Sequence, residues 1–417
     1  MLKINSAFFK VFIGGVVAAG FGFLSSVILA RTMSVEDFGR ISLIITLSII
    51  SFTMLEFGLG NALVVYVNKR GSGLNRFGVF KTILMKYIPV FFLLSIFLVV
   101  LYKIIYSLSW LEVIVVFLSS CCFFLHKILL SVNQANGDWT RFNILQSGNT
   151  FIKFVCLLLG FALIYLLGET NWLYDSYLYA LIVYGITIVL VGIFVSEIRA
   201  YKSERVPKAE HSEIRSIVIP IGLANILIII ALRFDLLLVA YFLSEKSVGL
   251  YHAANTLAMV FPLVTKALMS IALRESAVSE RLSFLNSLKN QNKLIPFLII
   301  TAVLVAFSSN ILVKLVYGAN YEDASTLFVL LTIGYIGGIY FIPLESYFYS
   351  HNQSNLLKSK LCVAVVMLSL GFILVTQIQE VGVAVAVVTS KVVGWCVIGF
   401  MVLREIKLGK VDEKQFS

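Results

Sequence analysis

The residues of this chain that could do chemistry are ionisable side chains set inside long apolar runs. Six are basic (Lys86, Lys127, Lys153, Arg233, Lys266 and Lys391) and three are acidic (Glu56, Asp235 and Glu345). A charge in hydrocarbon is expensive, so such groups face a bundle interior or a wet cavity, or pair with one another. Depth sorts them. Lys86, Lys127 and Lys266 stand within about two turns of the expected inner end of a helix, where a long side chain can snorkel to the interface. Glu345 is also close to an inner end, where water reaches it. Glu56, Lys153, Arg233, Asp235 and Lys391 are near the middle of their runs, and lining a polar cavity is the expectation for them. An excess of buried cations suits an anion, because Lys and Arg bind dispersed phosphate oxygens through charge-assisted hydrogen bonds.

The candidate anion-binding set is therefore Arg233, Lys153 and Lys391, together with Lys266 and with Arg31 at the outer end of the first run. Asp235, Glu56 and Glu345 are candidates for ion coupling or for pairing. Arg233 and Asp235 are two residues apart, about 200° around a helix, so one is expected to face a cavity while the other pairs with a neighbouring helix. There is no P-loop, HExxH or GxSxG pattern, and His126, His211, His252 and His351 are scattered. No catalytic residue, metal site or cofactor is expected, and the chain does not read as an enzyme.

The elements that must position these groups are membrane helices. Hydrophobic residues make up 59% of the chain and charged residues 13%, about half the charge content of a soluble domain, and the mean hydropathy is +0.96. Apolar runs near the bilayer-crossing length of about 20 residues recur throughout. Twelve are read: Phe8–Arg31, Phe38–Val67, Thr82–Leu101, Trp110–Leu130, Asn143–Leu167, Tyr177–Val195, Ser216–Phe242, Gly249–Leu273, Leu294–Asn310, Ala324–Tyr349, Leu361–Thr376 and Gly382–Leu403. The ninth and eleventh are the shortest.

With both termini in the cytoplasm, the loops on that side collect most of the basic residues, among them Lys69, Arg70, Arg199, Lys202, Arg205, Lys208 and Arg404. The opposite loops hold only Arg31, Arg40, Lys103, Lys246 and Lys314. This positive-inside bias accounts for most of the +11 net charge without nucleic acid, since basic loops face an anionic inner leaflet. The five cysteines all fall inside helices without metal-type spacing. The first run is too long for a signal-peptide core and is expected to be retained.

A short polar turn is written twice, as "LARTMSVEDFGRI" and as "VAYFLSEKSVGLY", with Ser34 and Gly39 in one and Ser244 and Gly249 in the other. One copy joins helices 1 and 2 and the other joins helices 7 and 8, six crossings later. The halves are thus expected to share one orientation, as in parallel-repeat transporters. The expected domains are an N-terminal lobe, 1–200, a cytoplasmic linker, 201–215, and a C-terminal lobe, 216–417. The serines could pair free backbone groups, and the glycines could permit tight geometry where the next helix starts. Ala18, Gly22 and Ser26 form a small-residue stripe on helix 1 that would let helices approach closely, and Pro89, Pro220, Pro262, Pro296 and Pro343 favour kinks or helix ends.

"LARTMSVEDFGRI", "DLLLVAYFLSEKSVGLYHAA", "LVYGANYEDAS" and "EVGVAVAVVTS" resemble recurring segments of the Wzx polysaccharide-export flippases. Those belong to the multidrug/oligosaccharidyl-lipid/polysaccharide (MOP) exporter superfamily. The resemblance covers nearly the whole chain and places an aspartate at the position of Asp235. It implies an all-α integral membrane protein of about twelve transmembrane helices, in two six-helix lobes around a central cavity that opens alternately to each side. It also implies a substrate, an O-antigen-like oligosaccharide repeat unit on undecaprenyl pyrophosphate, and location in the bacterial cytoplasmic (inner) membrane. Expected partners are that lipid-linked substrate, membrane lipids, and polymerase and chain-length proteins of the same pathway. Two other readings stand beside it. A cation-coupled multidrug exporter of the MATE type would carry organic cations, which an excess of Lys and Arg does not suit. An O-antigen polymerase or ligase should display catalytic groups in a large outer loop, and the outer loops here are short.

Overall fold

A backbone in lipid must satisfy its own amides, so long apolar runs fold as helices. The computed structural model describes residues 6–62, 64, 76–167, 172–196, 208–265, 292–351 and 353–407. In chain order the helices are α1 (Ser6–Thr32), α2 (Val35–Glu56), α3 (Arg76–Tyr106), α4 (Trp110–Ala135), α5 (Trp139–Leu167), α6 (Leu173–Val195), α7 (Lys208–Phe242), α8 (Glu245–Ala258), α9 (Ile295–Tyr317), α10 (Ala324–His351) and α11 (Gln353–Lys407). No strand occurs among the described residues. The apolar span that begins with α8 continues to Thr265.

α11 is interrupted by non-helical backbone at Ile378 and Gln379. Unbroken, its 55 residues would reach roughly 80 Å, far more than the ~30 Å of hydrocarbon. It therefore supplies two crossings, and with one each from α1 to α10 the described helices provide the twelve expected. The ninth run, short in the sequence, extends past Asn310 to Tyr317.

The two copies of the repeated turn fold alike. Ser34 and Ser244 both take extended backbone as N-caps, with φ/ψ of −64/159° and −79/161°. Ser34 Oγ accepts from Asp37 N–H at 3.1 Å, and Ser244 Oγ accepts from Ser247 N–H at 3.3 Å. The expectation for the glycines fails. Gly39 and Gly249 lie buried within the opening turns of α2 and α8. The described glycines with positive φ are Gly58, Gly137 and Gly318.

The chain divides into two compact units, Met1–Ile229 and Ile230–Ser417, and the division falls inside α7, downstream of the 201–215 linker. In the first unit α1 packs on α5, α5 on α6, α6 on α4, and α4 on α2 and α3, while α1 barely touches α2. α4 packs on α5 as well as on α2, α3 and α6, and α2, α4, α5 and α6 together surround the cavity described below. In the second unit α10 packs on α8, α9 and α11.

The close approach of α1 is at Gly14, where Ser147 Oγ donates to the carbonyl at 2.9 Å. A Cβ on Gly22, within the expected packing stripe, would meet nothing within 4 Å, and the same holds for Gly15 and Gly20.

The end of the first unit that carries the α1–α2 turn is tied by Arg40. Its Nε donates to Glu112 Oε1 at 2.7 Å and its Nη2 to Glu112 Oε2 at 3.0 Å, while the carbonyls of Tyr106 and Ser107 take further guanidinium hydrogens. Glu112 also accepts from Tyr174 Oη and from Ser109 N–H, closing a capping box on α4. One ion pair thus joins α2, α4, α6 and the α3–α4 turn.

Candidate functional site

Within the first unit lies a cavity of about 360 Å³, lined by residues of α2, α4, α5 and α6. α5 presents Asn149, Thr150 and Lys153, within about one turn on a single face, and α4 presents Ser119, Phe123, His126 and Lys127. α2 adds Ser48 and Phe52, and α6 adds Tyr184. Tyr184 Oη donates to Asn149 Oδ1 at 2.5 Å, which leaves the amide nitrogen of Asn149 as a donor. Lys127 Nζ donates to Asn61 Oδ1 at 3.2 Å. No aspartate or glutamate among the described residues lines this cavity. Two ammonium groups, neutral donors and the Phe52–Phe123 edge-to-face pair make a chamber suited to an anion carrying polar and ring-shaped parts.

Just below the cavity wall α2 breaks. Phe57 and Gly58 both take the left-handed conformation, with φ of 47° and 71°, and helical backbone resumes at Leu59. Glu56 is 3% exposed and turns its carboxylate back onto the break, where Oε2 accepts from Gly58 N–H at 2.8 Å and Oε1 from Gly60 N–H at 2.6 Å.

The second unit holds its own buried polar cluster. Asp235 on α7 is 4% exposed; its Oδ2 accepts from Tyr251 Oη of α8 at 2.8 Å and its Oδ1 from Leu236 N–H at 2.8 Å. Tyr335 on α10 donates to Asn255 Oδ1 at 2.9 Å. The Lys391 ammonium sits 3.3 Å from the centroid of the Tyr335 ring, a cation–π contact. Arg233 stands two residues before Asp235 on α7. Asp235 is the member of its pair that turns inward, and Arg233 is half-buried.

The sequence-expected residues therefore separate. Lys153 lines the cavity of the first unit, and Lys391, Asp235 and Arg233 gather in the second. Arg31 is exposed in the last turn of α1 and is not part of the cavity lining. Glu345 of α10 accepts from Lys360 of α11 at 3.0 Å in a partly exposed ion pair. Lys266 lies outside the described residues. Lys127, read from the sequence as a snorkelling residue, is instead in the cavity. Its signal was a polar stripe on α4, in which Ser119, Phe123, His126 and Lys127 recur at helical spacing on one face. Asn149 was likewise overlooked, although it precedes Lys153 by one turn.

The family model for polysaccharide biosynthesis proteins matches residues 7–273. No curated protein matches the chain by sequence. Among solved structures, the chain is similar to the lipid II flippase MurJ in an inward closed conformation, with a TM-score of 0.73 at 17% identity over 94% of this chain and 87% of that one. It is also similar to a multidrug resistance MATE family transporter of the MOP superfamily in an inward-facing conformation, with a TM-score of 0.65 at 14% identity over 95% and 99%. A MOP superfamily transporter from Pyrococcus furiosus, with a binding pocket of reverse polarity, matches with a TM-score of 0.56 at 13% identity over 96% of both chains. A multi-pass, all-α chain of about twelve membrane helices with the fold of MOP transporters, matched over more than half its length by that family model, belongs to the polysaccharide biosynthesis protein family.

Proposed function

We propose that this protein is a flippase that moves undecaprenyl-pyrophosphate-linked oligosaccharide repeat units from the inner to the outer leaflet of the bacterial cytoplasmic membrane. The observation that carries the reading is the cavity of the first unit, which brings Lys127 and Lys153 together with neutral donors and no carboxylate among its described lining. The physical task is steep, because each sugar hydroxyl left unpaired in hydrocarbon costs about 2–7 kcal/mol. The polar groups set in its largely apolar lining offer those hydroxyls partners, the lysines hold the diphosphate, and the polyprenyl tail stays in lipid. Arg31, Arg233, Lys266 and Lys391 are further candidates for holding the anion.

The lobes, 1–200 and 216–417 with the cytoplasmic linker 201–215 between them, alternate access by rocking. Both termini are cytoplasmic, and polymerase and chain-length proteins receive the product. Asp235, Glu56 and Glu345, each already held by donors of the protein, are the candidates for coupling to an ion or for pairing.

Reconstitution in proteoliposomes loaded with a lipid-linked oligosaccharide tests the reading. Protein-dependent exposure of the glycan to an impermeant glycosidase or lectin is the expected result. A protein that leaves the glycan inaccessible while expelling organic cations such as ethidium would replace it by the multidrug-exporter reading, which shares the fold.

A further inference from the structure

Glu56 reads from the sequence as an ion carrier or a pairing group, and its surroundings give it a different task. In an unbroken helix the N–H groups of Gly58 and Gly60 would bond to the carbonyls of Met54 and Glu56. The left-handed backbone at Phe57 and Gly58 frees those groups, and both oxygens of the buried carboxylate take them up. Charge-assisted bonds of this kind are about twice as strong as the neutral ones they replace.

The segment that follows is thereby redirected. Leu59 and Ala62 enter a core with Phe124, Ile128 and Val132 of α4 and Val218 of α7. A Cβ on Gly60 would lie 2.3 Å from Ser131 Oγ, so the segment rests directly on the α4 turn that carries Lys127. There Asn61 Oδ1 accepts from Lys127 Nζ at 3.2 Å, and Lys127 lines the cavity. A lysine head on a flexible stem takes its place from the acceptors around it.

We propose that Glu56 is a positioning residue for the cavity of the first unit: its carboxylate holds the break in α2, and the segment beyond the break presents Asn61 to fix the Lys127 ammonium. The functional weight of this arrangement rests on the anion site proposed above, and the geometry can be tested apart from it.

The direct test is the rate at which a small amine-acylating reagent modifies Lys127, followed by mass spectrometry on the folded full chain in nanodiscs. Glu56→Gln and Asn61→Ala should both change that rate at least severalfold and in the same direction. A merely structural role for Glu56 would lower the yield of folded protein without changing the rate per folded molecule. In the flipping assay both variants should raise the half-saturating concentration of lipid-linked substrate up to about tenfold, the size of one charge-assisted hydrogen bond, with the maximal rate little changed. Glu56→Gln combined with Lys127→Ala should be no worse than Lys127→Ala alone, since the two act through one contact.

Unchanged Lys127 reactivity in both variants overturns the proposal. Altered reactivity with a Lys127→Ala protein that flips at wild-type half-saturation supports the positioning role and removes the anion site instead. If Glu56→Gln fails to fold, Glu56→Asp, which keeps the charge but shortens its reach to the two amides, takes its place, and unchanged Lys127 reactivity in that variant overturns the proposal.

Discussion

Lys127 and Lys153 reach one cavity from two helices, α4 and α5, so each should carry part of the anion. Replacing either by Ala should lower flipping of a lipid-linked oligosaccharide about tenfold, the scale of one hydrogen bond to a charged group. The amount of folded protein, read by size-exclusion fluorescence, should stay the same. Wild-type flipping by both variants would remove the cavity from the transport path. Arg40 makes a different case, because its pair with Glu112 is structural: the two side chains are 16% and 4% exposed. Breaking a buried ion pair from one side costs about 3–5 kcal/mol, so Arg40→Ala should lower the unfolding temperature in detergent markedly. Arg40→Lys should rescue little of the loss, since an ammonium cannot reproduce the two-pronged bond and the two carbonyl contacts. Depth along an apolar run singled out Lys153, which lines the cavity, and Asp235 and Lys391, which pack in the second unit. It misplaced Lys127, because a lysine near a helix end reads as interfacial until the polar face of α4 is seen around it. The bonds of Glu56 were not legible, since they exist only where the backbone leaves the helix at Phe57.

At the scale of the element, glycine tests where helices truly meet. A Cβ on Gly58 would lie 2.6 Å from Ile221 Cγ2, and one on Gly222 would lie 2.5 Å from the Phe57 carbonyl oxygen. Gly58→Ala adds a left-handed alanine, at φ +71°, to that clash. Both substitutions should destabilise by about 1–3 kcal/mol. Gly15→Ala and Gly22→Ala on α1, which meet nothing within 4 Å, should be neutral or stabilising by up to about 1 kcal/mol through helix propensity. Thermal unfolding of the four variants checks the contrast, and a large loss at Gly22 would restore the small-residue stripe as a packing face. The α9–α10 turn offers a pH test. Lys314 Nζ at 2.9 Å and Asn310 Nδ2 at 3.1 Å hold the Glu322 carboxyl below the usual carboxylate range. A depressed carboxylate contributes above its unfolded pKa and loses that contribution as pH falls through the folded value. Amide exchange in the turn, relative to intrinsic rates, should therefore quicken in acid for the native chain and lose this acid step in Glu322→Gln. The sequence announced the helix run by run, down to the gap between the two arms of α11. It could not announce the break after Glu56, because "EFGLG" inside an apolar run is equally compatible with an unbroken helix.

At the scale of the whole molecule the repeated turn ties topology to mechanism. Ser34 follows α1 and Ser244 follows α7, and six crossings separate two turns whose serine caps fold alike. An even number of crossings returns the chain to the same face. Both turns should therefore label from outside with an impermeant thiol reagent, and a His211→Cys probe in α7 only after permeabilisation. The probe positions are Glu36→Cys and Lys246→Cys, which are exposed, occupy matching places after the two caps, and leave both serines intact. The parent chain would have its free cysteines replaced. Labelling of Glu36→Cys and Lys246→Cys from opposite sides would end the parallel-repeat reading. If the lobes alternate access by rocking, the outer ends of the two repeats approach when the cavity opens inward and part when it opens outward. The double variant should then cross-link with a short bifunctional reagent, and the link should stop flipping until it is cleaved. A link that forms while flipping continues at full rate would make the repeated turn a shared helix cap with no part in the gate.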